Sequence, residues 1–170
     1  MTPQELVGHK RVTKIMSTLP TFKPMKRNKW PKPFHRMGGP RVQATEIISV
    51  SDTHRVMFLW RDGELRTDSC FYAYLLCELS GGALGPVLEF HLHPSHKGIH
   101  CKVPCGTSDD YRNRLLPNAP ELSIDRSTML DPRNEVDRTK LIAVFCDTCG
   151  IAVCPKTAED GQYDLWGSWG

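Results

Sequence analysis

Residues 86–103, PVLEFHLHPSHKGIHCKV, decide how this chain is read. Apolar and polar side chains alternate on either side of Pro94-Ser95-His96-Lys97, the pattern of two antiparallel strands joined by a four-residue loop. With that loop, His93 faces Gly98, Leu92 faces Ile99 and His91 faces His100. Strand side chains alternate between faces, so Leu88, Phe90, Leu92, Ile99, Cys101 and Val103 form an apolar inner surface. The other surface carries Glu89, His91, His93, His100 and Lys102. A slip of one residue would exchange the two faces, so the register carries the whole prediction.

Three of those outer residues are histidines, and imidazole changes charge near neutral pH. Three uses fit the face. Paired histidines acting as general acid and base, with Lys102 against a developing phosphorane charge, suit metal-independent cleavage of RNA through its 2′-hydroxyl. Two imidazoles two residues apart on one strand and a third across from them also suit a shared Zn²⁺. The third use is an ordinary polar outer face. On the catalytic reading the working residues are His91, His93, His100 and Lys102, and the protein is a small toxin-like ribonuclease.

Outward from the hairpin, Glu46–Val50 and Arg55–Arg61 read as strands. Asp62-Gly63 signals a turn, and Glu64–Arg66 returns as a third strand. Asp68 then caps an expected helix through about Leu79, with Phe71, Tyr74, Leu75 and Leu79 near helical spacing and Gly81-Gly82 as the stop. Cys70 and Cys77 within it read as buried small hydrophobes. A short helix is expected over residues 4–17. Lys140–Phe145 is an apolar run that fits either a strand or the end of a helix. Residues 107–135 read as a polar, turn-rich excursion, in which Tyr111, Arg112 and Arg114 are weak candidates for phosphate contacts. The aromatic tail over residues 155–170 reads as a segment that docks on the body.

The seven cysteines supply the other chemical signal. Cys146-Asp147-Thr148-Cys149-Gly150 offers two thiolates from one tight turn, and Cys101-Lys102-Val103-Pro104-Cys105-Gly106 repeats the pattern with one more intervening residue. Four thiolates match the tetrahedral preference of zinc, and a filled shell makes such a site structural. These segments locally resemble the knuckles of zinc ribbons, which implies a metal site but neither a family nor a function. The expected ligands are therefore Cys101, Cys105, Cys146 and Cys149, with Cys154 and His100 as substitutes and Zn²⁺ as the cofactor. Closely spaced cysteines and an N-terminus without an apolar stretch point to a reducing, cytoplasmic location.

Charge is distributed unevenly. Residues 1–43 hold ten Lys/Arg against Glu5 alone, about +9, which leaves about −6 on the rest. A basic arm on an acidic body attracts polyanions. Six prolines in the same stretch argue for extended or irregular chain over residues 20–40. Lys23, Lys26, Arg27, Lys29, Trp30, Lys32 and Arg36 are the expected nucleic-acid contacts, the cations for phosphate and the indole for base stacking. A leader packed against its own acidic body is the other reading of the same charges.

The expected protein is thus α+β: a small antiparallel sheet with one or two packed helices, a zinc-knuckle-like cysteine cluster and an irregular basic arm. The arm covers residues 1–43 and the single domain residues 44–170. RNA or DNA is the expected partner, with a protein-binding accessory or inhibitor module as the alternative. No membrane partner is expected, since no stretch approaches the roughly 20 apolar residues that cross a bilayer. The sequence contains no Gly-rich phosphate loop, nucleophile elbow or dinucleotide fingerprint.

Overall fold

A computed structural model describes residues 3–26, 30, 34, 37–94, 98–103 and 130–154. The predicted hairpin is present in its predicted register. Strand β7 (Leu84–His93) runs antiparallel to β8 (Gly98–Lys102), with His93 opposite Gly98, His91 opposite His100 and Glu89 opposite Lys102. This hairpin forms one edge of a seven-stranded antiparallel sheet. Its order runs β2 (Lys23–Pro24), β3 (Val42–Ala44), β5 (His54–Arg61), β6 (Cys70–Glu78), β7, β8, and β4 (Ile48–Ser49) also pairs with β5. A separate parallel pair joins β1 (Lys14–Met16) to β9 (Ile151–Val153). Among the described residues the helices are α1 (Pro3–Arg11) and α2 (Glu135–Cys149), so the α+β class holds.

Two local expectations are corrected. The helix expected over 68–79 is strand β6, and the strand expected over 64–66 is a bend leading into one 3₁₀ turn, Arg66–Asp68. The cause is burial on both faces. Phe71, Ala73 and Leu75 point to one side of the sheet, while Tyr74 and Leu76 point to the other, and all five are buried. A strand covered on both faces is a continuous apolar run whose period cannot be told from a helix.

One face packs on α2, with the Phe145 ring edge-on to Phe58 at 5.4 Å and to Phe90 at 6.0 Å. That helix starts at Asn134, whose side chain accepts from Val136 N at 2.8 Å, and ends at Gly150 in the left-handed conformation (φ 66°). The apolar run Lys140–Phe145 is therefore helical. The opposite face is covered by the N-terminal segment itself. Met25, Trp30, Phe34 and Met37 pack on Met57, Leu59, Tyr74 and Leu76, with the Phe34 ring 4.9 Å from Tyr74.

The basic arm is thereby knitted into the fold. Helix α1 occupies only the first part of the expected 4–17 helix, and the chain then enters β1. Lys14, 1 % exposed, donates from Nζ to the carbonyls of His9 (2.6 Å), Lys10 (3.1 Å) and Val12 (2.7 Å), capping α1 with a cation at its negative end. Most of the 107–135 excursion and all of the 155–170 tail lie outside the described residues. No described helix is long and apolar enough to cross a membrane.

Candidate functional site

The hairpin brings His91, His93 and His100 together on the sheet face that carries Tyr72 and Tyr74. One ring nitrogen from each histidine lies within 4.8 Å of the other two. The His93 and His100 rings stack at 5.3 Å between centroids, and His91 stands nearly perpendicular to both, 5.9 Å from His93 and 5.2 Å from His100. Tyr72, the β6 partner of His91, sets its ring edge-on to His91 at 4.7 Å and to His93 at 5.3 Å. Tyr74 approaches His91 at 6.2 Å.

His91 is the buried member, 5 % exposed. Its Nε2 lies 3.2 Å from Glu89 Oε2, but the two atoms are not aligned for a hydrogen bond, and Nε2 is buried without one. A buried polar nitrogen without a hydrogen bond costs about 1–3 kcal/mol, so its persistence calls for an explanation. His93 and His100 are half-buried. Burial pushes the Tyr72 hydroxyl well above its ordinary range, helped by its contact with Cys70, so Tyr72 stays protonated. Tyr74 is raised still further, first by burial and then by the Glu89 charge.

All four residues expected for catalysis, His91, His93, His100 and Lys102, are thus placed by one hairpin, with Lys102 opposite Glu89. Tyr72 and Tyr74 are not among the expected site residues, because the helix expected over residues 68–79 gives Tyr74 only a packing role and β6 is a strand. Their spacing of two, matching that of His91 and His93, was the available signal.

The cysteines are arranged differently. Cys146-x-x-Cys149 is the last turn of α2 and not a knuckle, because the left-handed Gly150 ends a helix there. Cys146 and Cys149 point into the core with Cys101 from the inner face of β8, all three buried. Burial pushes the Cys101 and Cys146 thiols up to about 12 and the Cys149 thiol well above its usual value, which favours protonated sulfur over thiolate. Cys105, the fourth expected ligand, lies outside the described residues, and Cys154 is exposed.

Among the described residues one further group has three donor atoms within 4.8 Å of one another: His9, His54 and Cys77. His54 is buried, and burial followed by the His9, Lys14 and Arg55 charges lowers its pKa to about 4.

Of the expected nucleic-acid contacts, Lys23 is exposed and ion-paired to Glu46 at 3.0 Å, and Lys26 is exposed. Trp30 is half-buried against the second-face core, so its indole packs within the molecule. Arg27, Lys29, Lys32 and Arg36 lie outside the described residues. Comparison of the chain with protein-family models, with curated proteins and with solved structures finds no match to any of them.

Proposed function

We propose that this chain is a zinc-dependent nucleic-acid-processing protein whose working centre is the histidine triad of the β7–β8 hairpin. The observation that carries the reading is the convergence of one ring nitrogen each from His91, His93 and His100 within 4.8 Å of one another. A Zn²⁺ ion there would take one imidazole lone pair from each of the three. Three neutral protein ligands leave a fourth position for water, the arrangement of catalytic rather than structural zinc. An ion held there would supply a water that ionises near pH 7, against about 15.7 in bulk, which is the chemistry that phosphodiester hydrolysis calls for. Glu89, 3.2 Å from His91 Nε2, and Lys102, opposite it on β8, would add a carboxylate beside the ion and a cation for phosphate charge.

The choice of substrate rests on charge and position. The anchors Met25, Trp30, Phe34 and Met37 attach the arm to the triad's own sheet face, and the contacts Phe34–Tyr74 and Tyr74–His91 connect the two. The sequence between these anchors carries Lys26, Arg27, Lys29, Lys32 and Arg36. A polyanion attracted by that segment would be held beside the histidines. The six described cysteines are all free, which supports a reducing compartment such as the cytoplasm.

Elemental mass spectrometry on untagged protein and a nuclease assay, with and without chelator, test this reading together. Loss of one zinc per chain in the double variant H91A/H100A, with chelator-sensitive cleavage lost alongside it, is the expected result. Zinc lost only in C146S/C149S would move the ion to the cysteines. Cleavage that survives chelation but not H91A would return the site to metal-independent acid–base chemistry. Salt-sensitive nucleic-acid binding without cleavage would limit the protein to binding.

A further inference from the structure

The His9–His54–Cys77 group belongs to neither the hairpin nor the basic arm's surface charge, and it draws on three elements. His9 lies in the last turn of α1, His54 opens β5, and Cys77 is the residue directly opposite His54 on β6. It sits on the α2 side of the sheet, since His54 shares the alternation of Val56 and Phe58, and it is five residues along β6 from Tyr72. Its three side chains are gathered by hydrogen bonds: His9 Nδ1 and His54 Nε2 share one at 2.9 Å, the Cys77 thiol donates to the Glu78 carbonyl at 3.6 Å, and one ligand atom from each of the three lies within 4.8 Å of the others.

An independent feature orients this group. The far nitrogen of His54, Nδ1, is flanked by Ser51 Oγ at 3.1 Å and Thr53 Oγ1 at 3.0 Å. Ser51 Oγ is itself fixed by accepting from the His54 backbone N–H at 3.0 Å. With Nδ1 engaged by two hydroxyls, Nε2 is turned towards His9 and Cys77. Ligating histidines characteristically carry such an outer partner on the nitrogen that does not bind metal.

We propose that His9, His54 and Cys77 form a second metal site, for a thiophilic first-row ion such as Zn²⁺, which clasps helix α1 to the sheet. Two imidazoles and a thiolate are a borderline-soft set, unlike the all-imidazole hairpin triad. On binding, Cys77 Sγ releases its proton to solvent and bonds the ion. His54 keeps Nδ1–H, donated to a hydroxyl, while His9 gives up its Nδ1–H bond to His54 Nε2 and takes its ring proton on Nε2 instead, so one proton, that of the thiol, leaves per ion bound. The thiolate also offsets part of the positive charge brought near Lys14 and Arg55.

Cobalt(II) titration of the full chain tests the site, because a thiolate ligand gives Co²⁺ a near-ultraviolet charge-transfer band and the hairpin triad has no thiolate. The expected result is a band that saturates at one Co²⁺ per chain, persists in H91A/H100A and disappears in Cys77→Ser. His9→Ala, at a half-buried position of α1, should weaken the affinity read from that band by about tenfold or more while the chain stays folded. No band in wild type, or a band that survives Cys77→Ser, would overturn the site. Since the readout persists without the hairpin histidines, its failure and the failure of the proposed function are separate outcomes.

Discussion

His91 presents a residue-scale conflict that function would explain. A buried ring nitrogen without a hydrogen bond weakens the fold by about 1–3 kcal/mol relative to an apolar group of the same shape. In chelator-treated protein, His91→Phe is therefore expected to hold or raise the melting temperature, although it lengthens the aromatic cluster with Tyr72 and Tyr74. In zinc-loaded protein the order should reverse, because only wild type gains the binding energy of an ion at the triad. Thermal melts of both proteins with and without zinc check this; a large loss of stability without metal would make His91 a packing residue. The buried thiols give a pH prediction at the same scale. Cys146 is raised to about 12 from an ordinary 9.0 by burial and then by Asp147. Cys149 is raised by burial and by Cys146 and Cys101, with Lys14 and Lys10 opposing. Above pH 9 the unfolded chain loses thiol protons that the native state retains, so stability falls as pH rises from 9 towards 12. The slope approaches about 1.4 kcal/mol per pH unit for each thiol. Urea midpoints from pH 8 to 11 should decline less steeply in Cys146→Ala than in wild type.

At the scale of elements, legibility followed how each element is covered. The β7–β8 hairpin could be read residue by residue because one face is apolar, the other carries histidines and a charged pair, and the loop length fixes the register. Strand β6 could not, because the N-terminal segment buries Tyr74 and Leu76 from the side a sequence reader expects to be solvent. The hairpin histidines were legible for the same reason as the hairpin, whereas His9 and His54 are 45 residues apart and meet only through the packing of α1. The junction of α1 and α2 shows how tight that packing is. Gly150 has φ 66°, and a Cβ placed on it would lie 2.7 Å from the carbonyl oxygen of Lys10. Gly150→Ala therefore meets two penalties, about 1–2 kcal/mol for the left-handed conformation and a backbone clash that must push the helices apart. Its expected loss exceeds 2 kcal/mol by chemical denaturation, the first component being about 1–2 kcal/mol alone. A loss below 1 kcal/mol would mean that the α1–α2 contact is loose in solution.

For the whole molecule, the distribution of charge changes meaning once the arm is seen to be part of the body. A chain of about +9 over residues 1–43 suggests a detachable electrostatic tail, yet Met25 and Phe34 from that stretch are 1 % and 0 % exposed. Deleting residues 1–40 would strip one face of the sheet, so lost nucleic-acid binding in such a truncation would report unfolding as readily as lost contacts. Charge reversal at exposed sites separates the two. Lys26 is exposed, and Lys23 is held by Glu46 in an exposed ion pair of the kind worth at most about 1 kcal/mol. The double variant K23E/K26E should therefore keep a melting temperature close to wild type. If the arm contacts phosphates, each cation engaged contributes about 0.7–0.9 to the slope of log affinity against log salt. The variant should lower that slope by about 1.4–1.8 if both lysines are used, and by about half as much if Glu46 keeps Lys23 from the polyanion. An unchanged slope in a folded variant would remove these two lysines from the interface. The attraction would then have to come from the arm's remaining cations, or the proposed substrate would have to be one that carries no chain of phosphates.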